Sequence, residues 1–157
     1  MQQNIVKYEY LNKTLTIYQL KAFAMKTNFI CPKCRGYLNV DNKVIFTVKK
    51  KGWSGGIVKL SPELGDYAIT HHPSFKFDDG EHFEFHCPIC NYDLTLDGAD
   101  KLAKVILHEE DGKEYFVVFS KIKGERCTYK ISEKQVEESY GDHAGRNMDL
   151  LSATFFR

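Results

Sequence analysis

Apolar and polar residues alternate over much of this chain, with a period of two rather than 3.6. KVIFTVKK (Lys43 to Lys50) and IVKLS (Ile57 to Ser61) are two such runs. The glycine-rich KGWSGG joins them, which predicts a β-hairpin. LAKVILH, the turn EEDGK and YFVVFSKI predict a second hairpin, and FKF, DDGE and HFEFH a third. IVKYEY (Ile5 to Tyr10), YAITH (Tyr67 to His71) and RCTYKIS (Arg126 to Ser132) read as further strands. SPELGDY reads as a loop, punctuated by Pro62 and Gly65.

Helical signals are few. Thr16 with Gln19 fits a capping box, and Leu15 with Leu20 fits its hydrophobic staple. Ile17, Leu20 and Ala24 then share a face, so a short helix over Ile17 to Met25 is expected, although TIYQL also suits a strand. Ser132 offers an N-cap for a short helix in SEKQVEESY. No Pro/Ser-rich linker divides the chain. The pattern therefore predicts one mainly β, antiparallel domain over residues 1–157, with short helices near both ends and α+β as the alternative. Residues 141–157 are expected to form a flexible tail whose apolar end (Leu150, Leu151, Phe155, Phe156) needs cover.

One segment occurs twice. FICPKCRGYLNVDN (Phe29 to Asn42) and FHCPICNYDLTLDG (Phe85 to Gly98) align without a gap at an offset of 56, and no other repeat is visible. Each unit reads as strand, Cys-Pro-x-Cys turn, strand, then a turn at Asp41-Asn42 or Asp97-Gly98.

Composition decides what such turns are for. The 157 residues carry 22 basic and 21 acidic side chains, a net charge of +1, so bulk charge exerts no strong pull on nucleic acid or anionic lipid. No run approaches the ~20 apolar residues that span a bilayer. The N-terminus is polar and lacks the apolar stretch of a secretory signal, which points to the cytoplasm. In a reducing compartment, spaced cysteine pairs bind metal or do redox work more often than they form structural disulfides. The fifth cysteine, Cys127, also leaves any disulfide framework incomplete.

A four-coordinate metal takes sulfurs at ~2.3 Å in a tetrahedron, so one Cys-x-x-Cys turn supplies half a site and two complete it. The proline after each first cysteine fixes φ and lacks an N–H, which suits a rigid turn. The two segments resemble the cysteine knuckles of zinc-ribbon and rubredoxin-like proteins. Carried over position by position, the resemblance implies an elaborated zinc-ribbon-like domain with Cys31, Cys34, Cys87 and Cys90 as ligands of one Zn²⁺. Fe is the less favoured ion, because sulfur donors alone do not separate the two. Two departures stand out. Residues 35–86 separate the pairs, where ribbons often place about 15–20 residues. Glycine follows the second cysteine closely only once, at Gly36. Dithiol redox sites also use Cys-Pro-x-Cys, but their first cysteine opens a helix, and here YLNV and YDLTL read as extended.

Other candidates are weaker. His82, Glu84 and His86 share one strand face and, with His71 or His72, offer a second metal site. A solvated strand face explains them more simply. His86, beside Cys87, is also a candidate for orienting the metal's ligands. Lys49, Lys50, Lys51 and the sole tryptophan, Trp53, surround a hairpin tip that suits a protein partner or stacked single-stranded bases. A second basic cluster is Lys121, Lys123, Arg126 and Lys130. Cys127 with His143 as base shares no recognisable catalytic motif. No phosphate loop, Gly-x-Ser-x-Gly elbow or His-Glu-x-x-His is present, and nothing marks a small-molecule substrate. The sequence thus predicts a non-enzymatic zinc-binding module for protein interaction or regulation. A nucleic-acid-binding ribbon and an electron-transfer iron protein are the alternatives.

Overall fold

The alternating runs become strands. The computed structural model describes residues 27–52 and 55–156. In it β1 (Asn28–Ile30), β2 (Asn39–Val40), β3 (Lys43–Lys50), β4 (Gly56–Leu60) and β5 (Ile69–His71) lead into a second series. That series is β6 (Phe83–His86), β7 (Thr95–Leu96), β8 (Ala99–His108), β9 (Glu114–Ser120), β10 (Thr128–Ile131) and β11 (Val136–Tyr140). A 3-10 turn (Ala144–Asn147) and α1 (Met148–Phe155) follow. The expected strand over Ile5 to Tyr10 and helix over Ile17 to Met25 lie outside the described residues.

All pairings are antiparallel, in two sheets. The first has the order β2-β3-β4-β5, with β6 also on β3; the second has β1-β8-β9-β10-β11, with β7 also on β8. The main core lies between them. Val44, Phe46, Val48 and Val58 of the first sheet meet Phe29, Val105, Leu107 and Val117 of the second. Phe119 bridges them, its ring 5.7 Å from Phe46 and 5.2 Å from Phe85. A second cluster buries the other face of the β8–β10 sheet, where Leu102, Val118 and Tyr129 pack with Leu151 of α1. The tail's apolar end finds cover there through Leu151, Phe155 and Phe156, while Leu150 stays exposed.

Registers show that the repeat is far longer than the cysteine segments. Val44 pairs with Leu60 and Phe46 with Val58; 59 positions on, Ala103 pairs with Phe119 and Val105 with Val117. Lys59 pairs with Thr70, and Val118 with Tyr129. The loops agree down to single bonds. Ser61 Oγ accepts from Glu63 N at 3.2 Å and Ser120 Oγ from Ile122 N at 3.1 Å. Gly65 and Gly124, at φ 88° and 84°, occupy equivalent turn positions. So β1–β5 and β6–β10 are two copies of one five-stranded unit. The offset steps from 56 to 59 at a bulge: Thr95 pairs with Ala103 and Leu96 with Ala99, while Asn39 pairs with Val44 and Val40 with Lys43. The carbonyls of Asp100 and Lys101 in this bulge bond the His82 ring and the Lys121 amide.

The copies exchange their first strands. β6 of the second copy pairs with β3 of the first, setting Phe85 opposite Val48, and β1 pairs with β8, setting Phe29 opposite Leu107. β2 occupies only the first two residues of the eight-residue β3, which leaves edge free for β6.

Two expectations are corrected. FKF forms no hairpin with HFEFH: residues 75–78 join no strand ladder, Phe75 and Phe77 pack onto Phe83 from a loop, and β6 takes β3 instead. SEKQVEESY is a turn and a strand, not a helix. Ser132 Oγ accepts from the amides of Lys134 and Gln135, both at 3.2 Å, which closes the β10–β11 turn. Glu137 and Glu138 then suit an edge strand that must resist further pairing.

The two faces of the β3–β4 hairpin predict opposite responses. Phe46→Ala, 2% exposed in the wild type, should cost about 3–5 kcal/mol in denaturant unfolding. Ile57→Ala, 57% exposed, should stay within about 0.5 kcal/mol. Equal losses would mean the inner and outer faces are misassigned.

Candidate metal centre

Each cysteine turn is closed by the same bonds. Arg35 N donates to Cys31 O at 3.0 Å and Cys31 N to Gly36 O at 3.0 Å. In the second copy Asn91 N donates to Cys87 O at 2.9 Å and Cys87 N to Tyr92 O at 3.0 Å. Closing the turn puts the residue after the second cysteine in the left-handed region, at φ 63° for Arg35 and 59° for Asn91. Asparagine tolerates that conformation better than arginine does.

The turns also aim amides at sulfur. Lys33 N and Gly36 N lie 3.4 Å from Cys31 Sγ and Cys34 Sγ, and Ile89 N lies 3.4 Å from Cys87 Sγ. Each chain segment enters its turn on one sheet and leaves on the other: β1 and β7 belong to the β8 sheet, β2 and β6 to the β3 sheet. The turns therefore face each other across the sandwich. Cys31 Sγ lies 3.8 Å from Cys90 Sγ and Cys34 Sγ 3.9 Å from Cys87 Sγ, and all four sulfurs fall within 4.8 Å of one another. None is in a disulfide. Bonds of ~2.3 Å to a tetrahedral ion require sulfur separations of ~3.8 Å. The donor set fits a metal.

Burial divides the four. Cys31 and Cys87 are buried in the main core, while Cys34 and Cys90 are exposed. Burial pushes the Cys31 thiol up to about 12 and raises that of Cys87. The Tyr92 amide draws Cys90 down to about 7. A cation held between them would supply the charge that lets the buried pair ionise, and its binding would release protons.

The remaining candidates disperse. His82, Glu84 and His86 do not converge with His71 or His72: the four cysteines are the only cluster of metal-ligating type among the described residues. His82 Nε2 meets Asp100 O at 3.1 Å, and His71 Nδ1 meets His72 O at 3.0 Å. His86 is buried, with Nδ1 3.3 Å from Asn91 O and Nε2 3.5 Å from Glu84. It therefore braces the carbonyl next to Cys90 and touches no sulfur. Lys49 and Lys50 lie in β3, opposite Glu84 and Phe83, and Lys50 pairs with Glu81. Lys51 is exposed in the turn, and Trp53 lies outside the described residues.

The second basic cluster is largely neutralised. Lys121 is buried and donates to Thr95 Oγ1 at 2.5 Å, with the Asp93 carboxylate behind that hydroxyl; Lys123 lies 3.7 Å from Asp79, and Lys130 lies 2.5 Å from Glu109. Cys127 and His143 do come near one another in the fold, but not as a pair. His143 Nδ1 accepts the Arg126 amide at 3.0 Å. Burial, with Glu125 beside it, pushes the Cys127 thiol up to about 11.

One contact had no sequence signal. A Cβ at Gly36 would meet Ile89 Cδ1 of the other turn, so glycine there lets the two turns approach without displacing that side chain. Compared with protein-family models, curated proteins and solved structures, the chain matches none.

The approach of the two turns predicts a coupled pair. Gly36→Ala alone should cost about 1 kcal/mol by unfolding, and Ile89→Ala alone, at an exposed position, less than about 0.5 kcal/mol. The double variant should recover most of the first loss. Additive losses would place the turns further apart.

Proposed function

We propose that Cys31, Cys34, Cys87 and Cys90 hold one zinc ion in a structural role, in a non-enzymatic, zinc-ribbon-like module that serves protein interaction or regulation. The observation that carries the reading is four sulfurs, two from each of two equivalent turns, at the spacing of a tetrahedron's edges. Four protein donors fill a tetrahedral zinc and leave no position for water or substrate. The ion's work is then mechanical: it ties β1–β2 to β6–β7 and thereby one sheet to the other. Free thiols throughout the described residues accord with a reducing, cytoplasmic setting. The high thiol pKa of Cys127, together with the amide bond that occupies His143, gives a cysteine-nucleophile reading no support.

A protein partner is favoured over nucleic acid on two grounds. The basic side chains at 121, 123 and 130 are already paired. Tyr37 and Ile89, 64% and 62% exposed, stand apolar at the cysteine turns, as interface residues do.

Elemental analysis of protein purified without added metal should find one zinc per chain and no visible absorption. Chelation should lower the melting temperature by about 10 °C or more. Cys87→Ser should lose the ion, and His82→Ala should keep it. Charge-transfer bands in the visible would replace zinc with iron, and an unchanged melt after verified metal loss would refute the structural role.

A further inference from the structure

The space between the sheets opens to solvent beside the loops Ser61 to Tyr67 and Ser120 to Arg126. Phe46, Val58, Val105 and Val117 are almost wholly buried, yet Leu60, Leu64, Ile69, Phe77 and Phe119 of the same cluster remain partly accessible. Between them lies a cavity of about 400 Å³. Sites for small molecules start at ~300 Å³.

Its walls and its rim differ in chemistry. The walls are the inward side chains of both sheets, with Phe46, Phe85 and Phe119 set edge-on or tilted to one another. An apolar floor beneath a polar rim suits a ligand whose buried part is apolar. The rim is formed by the two equivalent loops, Ser61 to Tyr67 and Ser120 to Arg126, so each copy of the repeat contributes one lip.

Charge at the rim narrows the ligand. Glu63, Asp66, Asp79 and Glu125 outnumber Lys123 and Arg126, and Lys123 is drawn to Asp79 at 3.7 Å. The charge of the buried Lys121 is offset by Asp93, to whose carboxylate Thr95 Oγ1, the acceptor of the Lys121 ammonium, donates in turn. An anionic headgroup would meet this carboxylate excess, and a charge carried into the apolar interior would be left unpaired.

We infer that this cavity is a binding site for one uncharged, apolar small molecule, of alkyl or fused-ring type, admitted between the two loops. It is independent of the metal reading, because no cysteine of the metal cluster lines it. No sequence motif marks it, since every wall residue doubles as ordinary core.

The test uses the full, metal-loaded chain and N-phenyl-1-naphthylamine, an uncharged dye that brightens in apolar surroundings. Fluorescence should rise saturably with one site per chain. Decanol should compete at least tenfold better than decyl sulfate of the same chain length. Leu64→Trp, which fills the cavity from a partly exposed position, should weaken binding at least tenfold with metal content and melting temperature retained. Ile69→Trp serves the same purpose should the first variant fail to fold. Non-saturable uptake, equal or better competition by decyl sulfate, or wild-type affinity in a folded filled variant would overturn the inference. A cavity already occupied by another part of the chain or by a second copy would show no uptake, and that result also overturns it. Metal content, read separately, tells failure of this site from failure of the zinc reading.

Discussion

The structure depends on one topological constraint: each cysteine turn begins on one sheet and ends on the other. Bringing the four sulfurs within 4.8 Å of one another is therefore the same event as closing the sandwich. The exchange of β1 and β6 between the copies reinforces this, since neither sheet is complete without a strand of the other unit. Structural zinc sites contribute about 10–16 kcal/mol in small peptides, as much as the whole net stability of a typical domain at about 5–15 kcal/mol. An ion at this position would govern whether the sheets stay together, and the buried thiols of Cys31 and Cys87 would be its anchor inside the core.

The two copies share inner faces and differ in outer ones. Val44, Phe46, Val48 and Val58 have Ala103, Val105, Leu107 and Val117 as counterparts, all buried. On the outer faces, Thr47, Lys59 and Thr70 correspond to Ile106, Val118 and Tyr129, while Ile45 corresponds to Lys104 and Ile57 to Phe116. The second set is the more apolar because α1 and its flanking residues cover much of that face. The first set is the more polar, as expected of a sheet whose outer face meets water. One backbone plan thus supports a two-layer arrangement on one side and a three-layer one on the other. The difference is carried by alternate residues of three strands.

Much of this was legible in the sequence, and the gaps have physical causes. The strands were visible because half-buried strands enforce a period of two, and the mainly antiparallel β class follows from that. The four cysteines were visible because their spacing is fixed by sulfur chemistry, which tolerates little drift. The longer repeat was hidden for two reasons: its outer-face residues answer to different surroundings, and the bulge at Asp100 to Leu102 breaks the alignment after Leu96. Inner positions kept only their apolar character, which any core strand would show. VEESY misled because an exposed edge strand needs charge more than alternation, and Ser132 serves a tight turn as readily as a helix start. FKF misled because Phe75 and Phe77, two residues apart, have the spacing of one strand face although the segment is a loop that joins no ladder.

Electrostatics explains the small asymmetries around the sulfurs. A divalent ion held by four thiolates would carry a net charge of about −2, which donors and cations would have to offset at a half-exposed site. The amides of Lys33, Gly36 and Ile89 supply part of that, as does the Tyr92 amide on Cys90. The first turn adds two positive side chains. Lys33 reaches over the Tyr92 ring at 5.3 Å, crossing to the second turn, and Arg35 extends to Glu114 at the start of β9. This gives a reason for arginine to occupy a left-handed position that glycine or asparagine would fill at less cost: its guanidinium fastens the turn to the other copy. Asn91, the equivalent residue, has no such reach and keeps the conformationally easier side chain. Two turns of one design thus make different contacts, the first reaching the second copy through Lys33 and Arg35 and the second laying Ile89 against Gly36.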